Sequence, residues 1–130
     1  MKWWMLVWGI GLVVLLMACS RKEVPYQSLS VEEFEKLMMD PAVQRLDVRT
    51  VAEYSEGHIT GSLNVNVLDE ASFLKIAQEV LHKEQPVAVY CRSGKRSKKA
   101  AEMLGKLGYK VFDLNKGFNS WKAAGKVIQK

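Results

Sequence analysis

Two hydrophobic rhythms alternate along the chain, one with helical spacing and one of short, nearly continuous apolar runs. Ser30-Val31-Glu32-Glu33 has the spacing of a capping box, in which Ser30 and Glu33 satisfy each other's backbone amides. Leu29 before it and Phe34 after it can form a hydrophobic staple, and Phe34, Leu37 and Met38 continue one apolar face up to Asp40-Pro41. Residues 43–48 and 63–67 read as strands. Between residues 73 and 81, Phe73, Ile76, Ala77, Val80 and Leu81 recur at helical spacing, and Pro86 breaks that pattern. Val87-Ala88-Val89-Tyr90 then has the unbroken apolar character of a central parallel strand buried on both faces. Ala100, Met103, Leu104 and Leu107 form the next helical stripe, closed by Gly108, with Ala100 and Ala101 small enough for close packing on a sheet. A strand over 111–114 and a helix over 117–124, with Phe118, Trp121 and Ala124 inward, complete the pattern. Strands alternating with helices predict an α/β fold with a mainly parallel sheet.

Composition narrows the class. A chain of 130 residues, 48% apolar and 25% charged, has room for one domain and no disordered character in its body. The formal net charge is +5, and seven cations fall between Arg92 and Lys110. No aromatic interleaving or groove-reading motif accompanies them, so no nucleic-acid partner is expected. Arg92, Lys95 and Arg96 are placed to attract a small anion, whereas Lys98, Lys99, Lys106 and Lys110 read as a solvated helix face and strand entry. The two cysteines and two histidines lack metal-ligand spacing, so neither a metal nor a cofactor is expected.

Met1 to Ala18 reads as an export signal. Lys2 supplies a positive start, and the uncharged run of sixteen residues from Trp3 to Ala18 is shorter than the about 20 needed to span a bilayer. Leu16-Met17-Ala18-Cys19 resembles the lipobox of bacterial lipoproteins, although Met17 is not the commonest residue at its place. That resemblance implies cleavage before Cys19, lipid on Cys19 and a domain held outside the cytoplasm on the cell envelope. The alternative is an uncleaved anchor. Ser20, rather than aspartate, follows the cysteine, which under the lipoprotein sorting rule points to the outer membrane. Residues 19–25 form a polar tether and 26–130 the domain, in which Cys91 is the lone thiol.

Cys91-Arg92-Ser93-Gly94-Lys95-Arg96-Ser97 is the stretch that carries chemistry. It follows the most apolar strand, at whose carboxyl end ligands gather in open α/β sheets, and it leads into a helix whose first amides are unpaired. Gly94 permits backbone angles that let those amides converge as an anion-binding nest. A thiol among Arg92, Lys95 and Arg96 is favoured as thiolate, the nucleophilic form, without a histidine base.

These residues resemble the active-site loop of the rhodanese family of sulfurtransferases. Asp47-Val48-Arg49 with Glu53-Tyr54, Gly57-His58-Ile59 and Gly61-Ser62-Leu63-Asn64 resembles the family's upstream signature, and Gly117-Phe118 with Trp121 its closing one. The resemblance covers residues 26–125 and implies a rhodanese-like fold: a central sheet of about five mainly parallel strands with helices on both faces. Two departures are visible. Lys116 stands where the first glycine of a pair is usual, and Asn66 where a proline is usual. The implied activity takes sulfur from a thiosulfate-like donor onto Cys91 as a persulfide and passes it to cyanide or to a thiol or protein acceptor. Arg92, Ser93, Gly94, Lys95, Arg96 and Ser97 would bind substrate. Asp47 and Arg49 are expected as a buried ionic pair supporting nearby loops, with a direct substrate contact by Arg49 as the alternative. His58 reads as a packing histidine, His82 as exposed and Trp121 as core. Two other functions stay open: a non-catalytic persulfide carrier, and a phosphatase or arsenate reductase of the same fold. The latter loops carry one residue more between cysteine and arginine than the four here, and Ser97 occupies the place of that arginine.

Overall fold

The computed structural model describes residues 24–130, so the leader, Cys19 and most of the tether lie outside the described residues. The chain runs β1 (Gln27–Leu29), α1 (Val31–Leu37), β2 (Gln44–Asp47), α2 (Val51–Glu56), β3 (His58–Ile59), β4 (Leu63–Asn64), α3 (Glu70–Val80), β5 (Val87–Tyr90), α4 (Lys95–Lys106), β6 (Val111–Leu114), α5 (Gly117–Ala123) and β7 (Ile128–Gln129). Five strands form one sheet in the order β1-β6-β5-β2-β4, every pairing parallel. β3 and β7 make a separate antiparallel pair. Among the described residues, no helix is long and apolar enough to cross a membrane.

The sheet is covered on both faces, and the period of two along β5 divides its residues between them. Val87, Val89 and Cys91 join Phe73 and Ala77 of α3 and Ala100, Ala101 and Leu104 of α4 in one core. Ala88 and Tyr90 join Phe34 of α1 and Phe118 and Trp121 of α5 in the other. All four β5 residues are fully buried, as a central strand between two helical layers requires.

Local signals explain most boundaries. Ser30 caps α1 with the reciprocal Glu33 bonds of the capping box, and Leu29 and Phe34 are both buried beside it. Gly108, with φ of +96°, follows the end of α4. Sequence periodicity overreached in three places. Ile76 and Val80 are exposed, because α3 packs through the narrower stripe of Phe73 and Ala77. Ala124 is exposed just past the end of α5. The strand over 63–67 pairs as a ladder only at Leu63–Asn64; beyond it the Val65 and Val67 amides still reach Asp47 O and Val48 O. There Asn66, in the position where proline is usual, accepts the Leu68 amide at 3.0 Å in an Asx turn.

Short elements escaped the pattern altogether. β1, β3 and β7 contain only two or three residues each, too few for a hydrophobic period to register. α2 carried a legible sign in Thr50-Val51-Ala52-Glu53, a second complete capping box.

Candidate active site

Cys91 follows the last residue of β5, at the carboxyl edge of the sheet, and its side chain is 1% exposed. The loop from Arg92 to Gly94 turns the chain directly into α4. Gly94, at the N-cap, has φ of +100°, and its amide donates to Cys91 Sγ at 3.1 Å. The first residues of α4, Lys95 and Arg96, have amides without an intrahelical acceptor, so the positive end of the helix lies beside the sulfur.

The loop is clamped by close backbone approach, which is why two glycines are required. A Cβ on Gly94 would lie 2.0 Å from Asn115 O, and one on Gly117 would lie 2.5 Å from Arg92 O. Gly117 itself has φ of +69°. The amides of Phe118 and Asn119 donate to Cys91 O and Arg92 O at 2.8 and 3.0 Å, tying α5 under the loop. Lys116 has φ of −104°, a conformation that any residue adopts, so its departure from glycine leaves the turn unstrained.

The loop cations divide into two kinds. Arg92 and Lys95 are exposed and have no acidic partner among the described residues. Arg96, expected from sequence to bind substrate, gives both terminal nitrogens to Glu53 at 2.7 and 2.9 Å. Glu53 is at once the reciprocal residue of the Thr50 capping box and the anchor of Arg96. The Arg96 hydrogen bond, with help from the Thr50 amide and the Arg96 charge, lowers its carboxyl from the ordinary 4.5 to about 2. Glu53 raises Arg96 in return, and the nearby Cys91 adds a smaller push in the same direction.

Ser97 is fully buried and occupied on several sides. Cys91 Sγ lies 3.5 Å from its hydroxyl oxygen, and that hydroxyl donates to Asp113 on β6. Asp113 also accepts from Ser28 Oγ and from Lys98 Nζ, both at 3.0 Å. Lys98 therefore does not belong to a solvated helix face: it neutralises a fully buried carboxylate and also donates to Gly94 O and Asn115 O. Reasoning from sequence left Asp113 and Lys98 out of the site. Their only cue is an acidic residue inside an otherwise apolar strand.

Asp47 and Arg49 form the buried pair that the sequence suggested. Arg49 Nε and Nη2 grip the carboxylate at 2.7 to 3.1 Å, and Nη2 also donates to Gly57 O at 2.6 Å. Burial alone would lower Arg49, but the hydrogen bonds and charge of Asp47 outweigh it and hold the guanidinium charged. The guanidinium lies 4.2 Å from the centre of the Phe118 ring. Burial, reinforced by the Asp47 charge, pushes the Tyr90 phenol well above its usual range, and its hydroxyl instead bridges the Ile59 amide and Ser62. A cleft of about 80 Å³ opens beside Arg92, lined also by Arg49, Glu53, Phe118 and Lys122. His58 stacks on Tyr54 with ring centres 3.7 Å apart, His82 is exposed and Trp121 is buried.

A thiol at a strand end, an amide aimed at it and a helix N-terminus behind it define a site for sulfur or oxyanion chemistry. Residues 30–124 match the Rhodanese-like domain family model. The chain belongs to the rhodanese-like domain family. It is 31% identical over 100 residues to the thiosulfate sulfurtransferase GlpE of Shewanella oneidensis, covering 76% of this chain and 95% of that one. It is 33% identical over 102 residues to the adenylyltransferase and sulfurtransferase MOCS3 of Drosophila virilis, covering 75% of this chain but only 23% of that much longer protein. Among solved structures, a rhodanese-related protein from Thermoplasma volcanium superposes with a TM-score of 0.70 at 29% identity, covering 80% of this chain and 98% of the other.

Proposed function

We propose that this protein is a sulfurtransferase that carries sulfane sulfur on Cys91 from a thiosulfate-like donor to cyanide or a thiol acceptor. The observation that carries the reading is the Gly94 amide 3.1 Å from Cys91 Sγ at the head of α4, with Arg92 and Lys95 exposed around the loop. In the first step the Cys91 thiolate attacks the outer sulfur of the donor. A sulfur–sulfur bond forms, the donor's own sulfur–sulfur bond breaks, and sulfite leaves with the electron pair. In the second step an acceptor thiolate or cyanide attacks the terminal persulfide sulfur, and Cys91 departs as thiolate. The same fixed amide faces an anionic sulfur in both halves of the cycle. Arg92 and Lys95 attract the donor, while Arg96 braces the loop through Glu53 and adds its charge at longer range.

Thiocyanate production from thiosulfate and cyanide by the full-length protein, measured beside Cys91→Ser, tests this reading. Activity is expected only with the cysteine; equal rates in both proteins would sink the role of Cys91. A persulfide mass adduct on Cys91 without turnover would favour the carrier reading. Phosphate release from an aryl phosphate would favour the phosphatase reading, against which the four-residue spacing from Cys91 to Arg96 argues. The proposal also holds the protein outside the cytoplasm on a bacterial cell envelope, at the outer membrane or a periplasmic face, through lipid on Cys19. Palmitate labelling that persists in Cys19→Ala would remove that tether.

A further inference from the structure

We propose that Asp113 is a positioning residue that competes with the Cys91 sulfur for the single hydroxyl hydrogen of Ser97. The proposal rests on Cys91 being the sulfur carrier, but its test reads the thiol directly and needs no sulfur transfer.

Three observations carry it. Ser97 Oγ is a polar side-chain group within hydrogen-bond distance of Cys91 Sγ, at 3.5 Å. Its single hydrogen is directed to Asp113, with Gly94 O a longer second acceptor at 3.2 Å, so it presents lone pairs to the sulfur. Asp113 is fully buried yet unrelated to the donor-binding loop cations; it faces Ser28 from β1 and Ser97 and Lys98 from α4. Arg96 of α4 feels the Cys91 charge through space and is itself held by Glu53.

This arrangement suits a thiol, whose S–H can donate to Ser97. The Gly94 amide donates to the sulfur in either form, but on the Ser97 side a thiolate or persulfide would face an oxygen lone pair. When the thiol proton leaves to solvent, the Ser97 hydroxyl turns about its Cβ–Oγ bond and gives its hydrogen to the sulfur. Asp113 keeps Ser28 and Lys98 as donors, so its carboxylate is not stranded. No covalent bond to carbon or sulfur changes in this turn. Asp113 and the sulfur thus compete for a hydrogen that Gly94 O, at 3.2 Å, accepts more weakly, and Lys98 limits how strongly Asp113 holds it.

The test is a double-mutant cycle on the full-length protein, reading the pH midpoint of Cys91 alkylation by iodoacetamide in wild type, D113N, S97A and D113N/S97A. In D113N the Lys98 ammonium takes the amide oxygen, the amide NH2 turns to Ser97, and the Ser97 hydrogen is released to the sulfur. The midpoint is expected to fall by about half a unit or more, roughly a threefold gain in alkylation rate below the midpoint. Loss of the Asp113 charge alone would also lower it, but by the same amount with or without Ser97. A shift clearly smaller in the S97A background therefore supports the proposal. Equal shifts in the two backgrounds, or no shift in D113N, overturn it. Where circular dichroism shows D113N unfolded, the same cycle with Lys98→Met carries the test: the midpoint rises, and rises less in the S97A background. Equal rises there overturn it too.

Discussion

Asp47 and Asp113 occupy nearly symmetrical positions: each lies on a strand next to β5, each is fully buried, and each is neutralised by one cation. Asp47 pairs with Tyr90 in register and Asp113 with Val89, so the two carboxylates flank the strand that delivers Cys91. Their partners differ. Asp47 is gripped by a guanidinium two residues away that is 4% exposed and wedged against Phe118 and Gly57 O. Asp113 is met by the flexible ammonium of Lys98, which is 36% exposed, and by two hydroxyls, one of which touches the sulfur. A buried charge held by a rigid fork fastens loops, whereas one held by rotatable donors can rearrange. The first carboxylate fastens the scaffold and the second reaches Cys91 Sγ through Ser97.

Breaking the first pair is expected to have the largest effect. Arg49→Ala leaves Asp47 charged, buried and without its cation, a loss of about 3–5 kcal/mol. Urea unfolding should show a large drop in midpoint, and a change below about 1 kcal/mol would mean that water reaches Asp47 and that the two sites are alike. Gly94→Ala comes next. It places a methyl 2.0 Å from Asn115 O at a φ of +100°, so the loop must move away from β6. Cys91 alkylation should lose its dependence on the amide at α4, and thiocyanate formation should fall at least about tenfold, a shift of about 1.4 kcal/mol in the barrier. An unchanged rate would show that the clamp is not needed.

Lys98→Ala should cost less than Arg49→Ala, about 1–2 kcal/mol, because the half-exposed ammonium leaves a space that water can enter to solvate Asp113. A loss equal to that of Arg49→Ala would erase the contrast between the two carboxylates. Glu53→Gln should have the smallest effect on stability, under about 1 kcal/mol at neutral pH, since both partners of the Arg96 pair keep contact with solvent. Its signature is the pH dependence. Glu53 is lowered on folding, so its contribution is present above the ordinary value of 4.5 and disappears as pH falls toward about 2. The stability gap between wild type and Glu53→Gln should be constant above about pH 5 and close below it. A gap that widens with acid would contradict the Arg96 assignment.

Legibility in the sequence followed the range of the interaction. Ser30 and Glu33 cap one helix, and Gly94 sits inside the loop whose backbone it bends, so each could be read from neighbours within a few residues. Asp47 and Arg49 are two residues apart, and their pairing was legible for the same reason. Arg96 and Glu53 are separated by 43 residues, and Ser97 and Asp113 by 16. From sequence Arg96 therefore reads as a free cation and Lys98 as solvated surface, and Asp113 is not singled out at all. Ile76 and Val80 fit a helical face, but α3 buries only the narrower stripe of Phe73 and Ala77.

By itself, the sequence determined the alternation of strands and helices, the central place of Val87–Tyr90 and the presentation of Cys91 in a glycine-bearing cationic loop. Those features arise from periodicity, capping and backbone freedom, which are local properties. Only the tertiary structure decided which cations remain free and which hydroxyl meets the sulfur. Parallel strands bring β6 beside β5 through a long crossover, so Asp113 reaches Ser97 through space and not through spacing. Charges in a low-dielectric core are governed by the partner that packing supplies, and no local rule names that partner in advance.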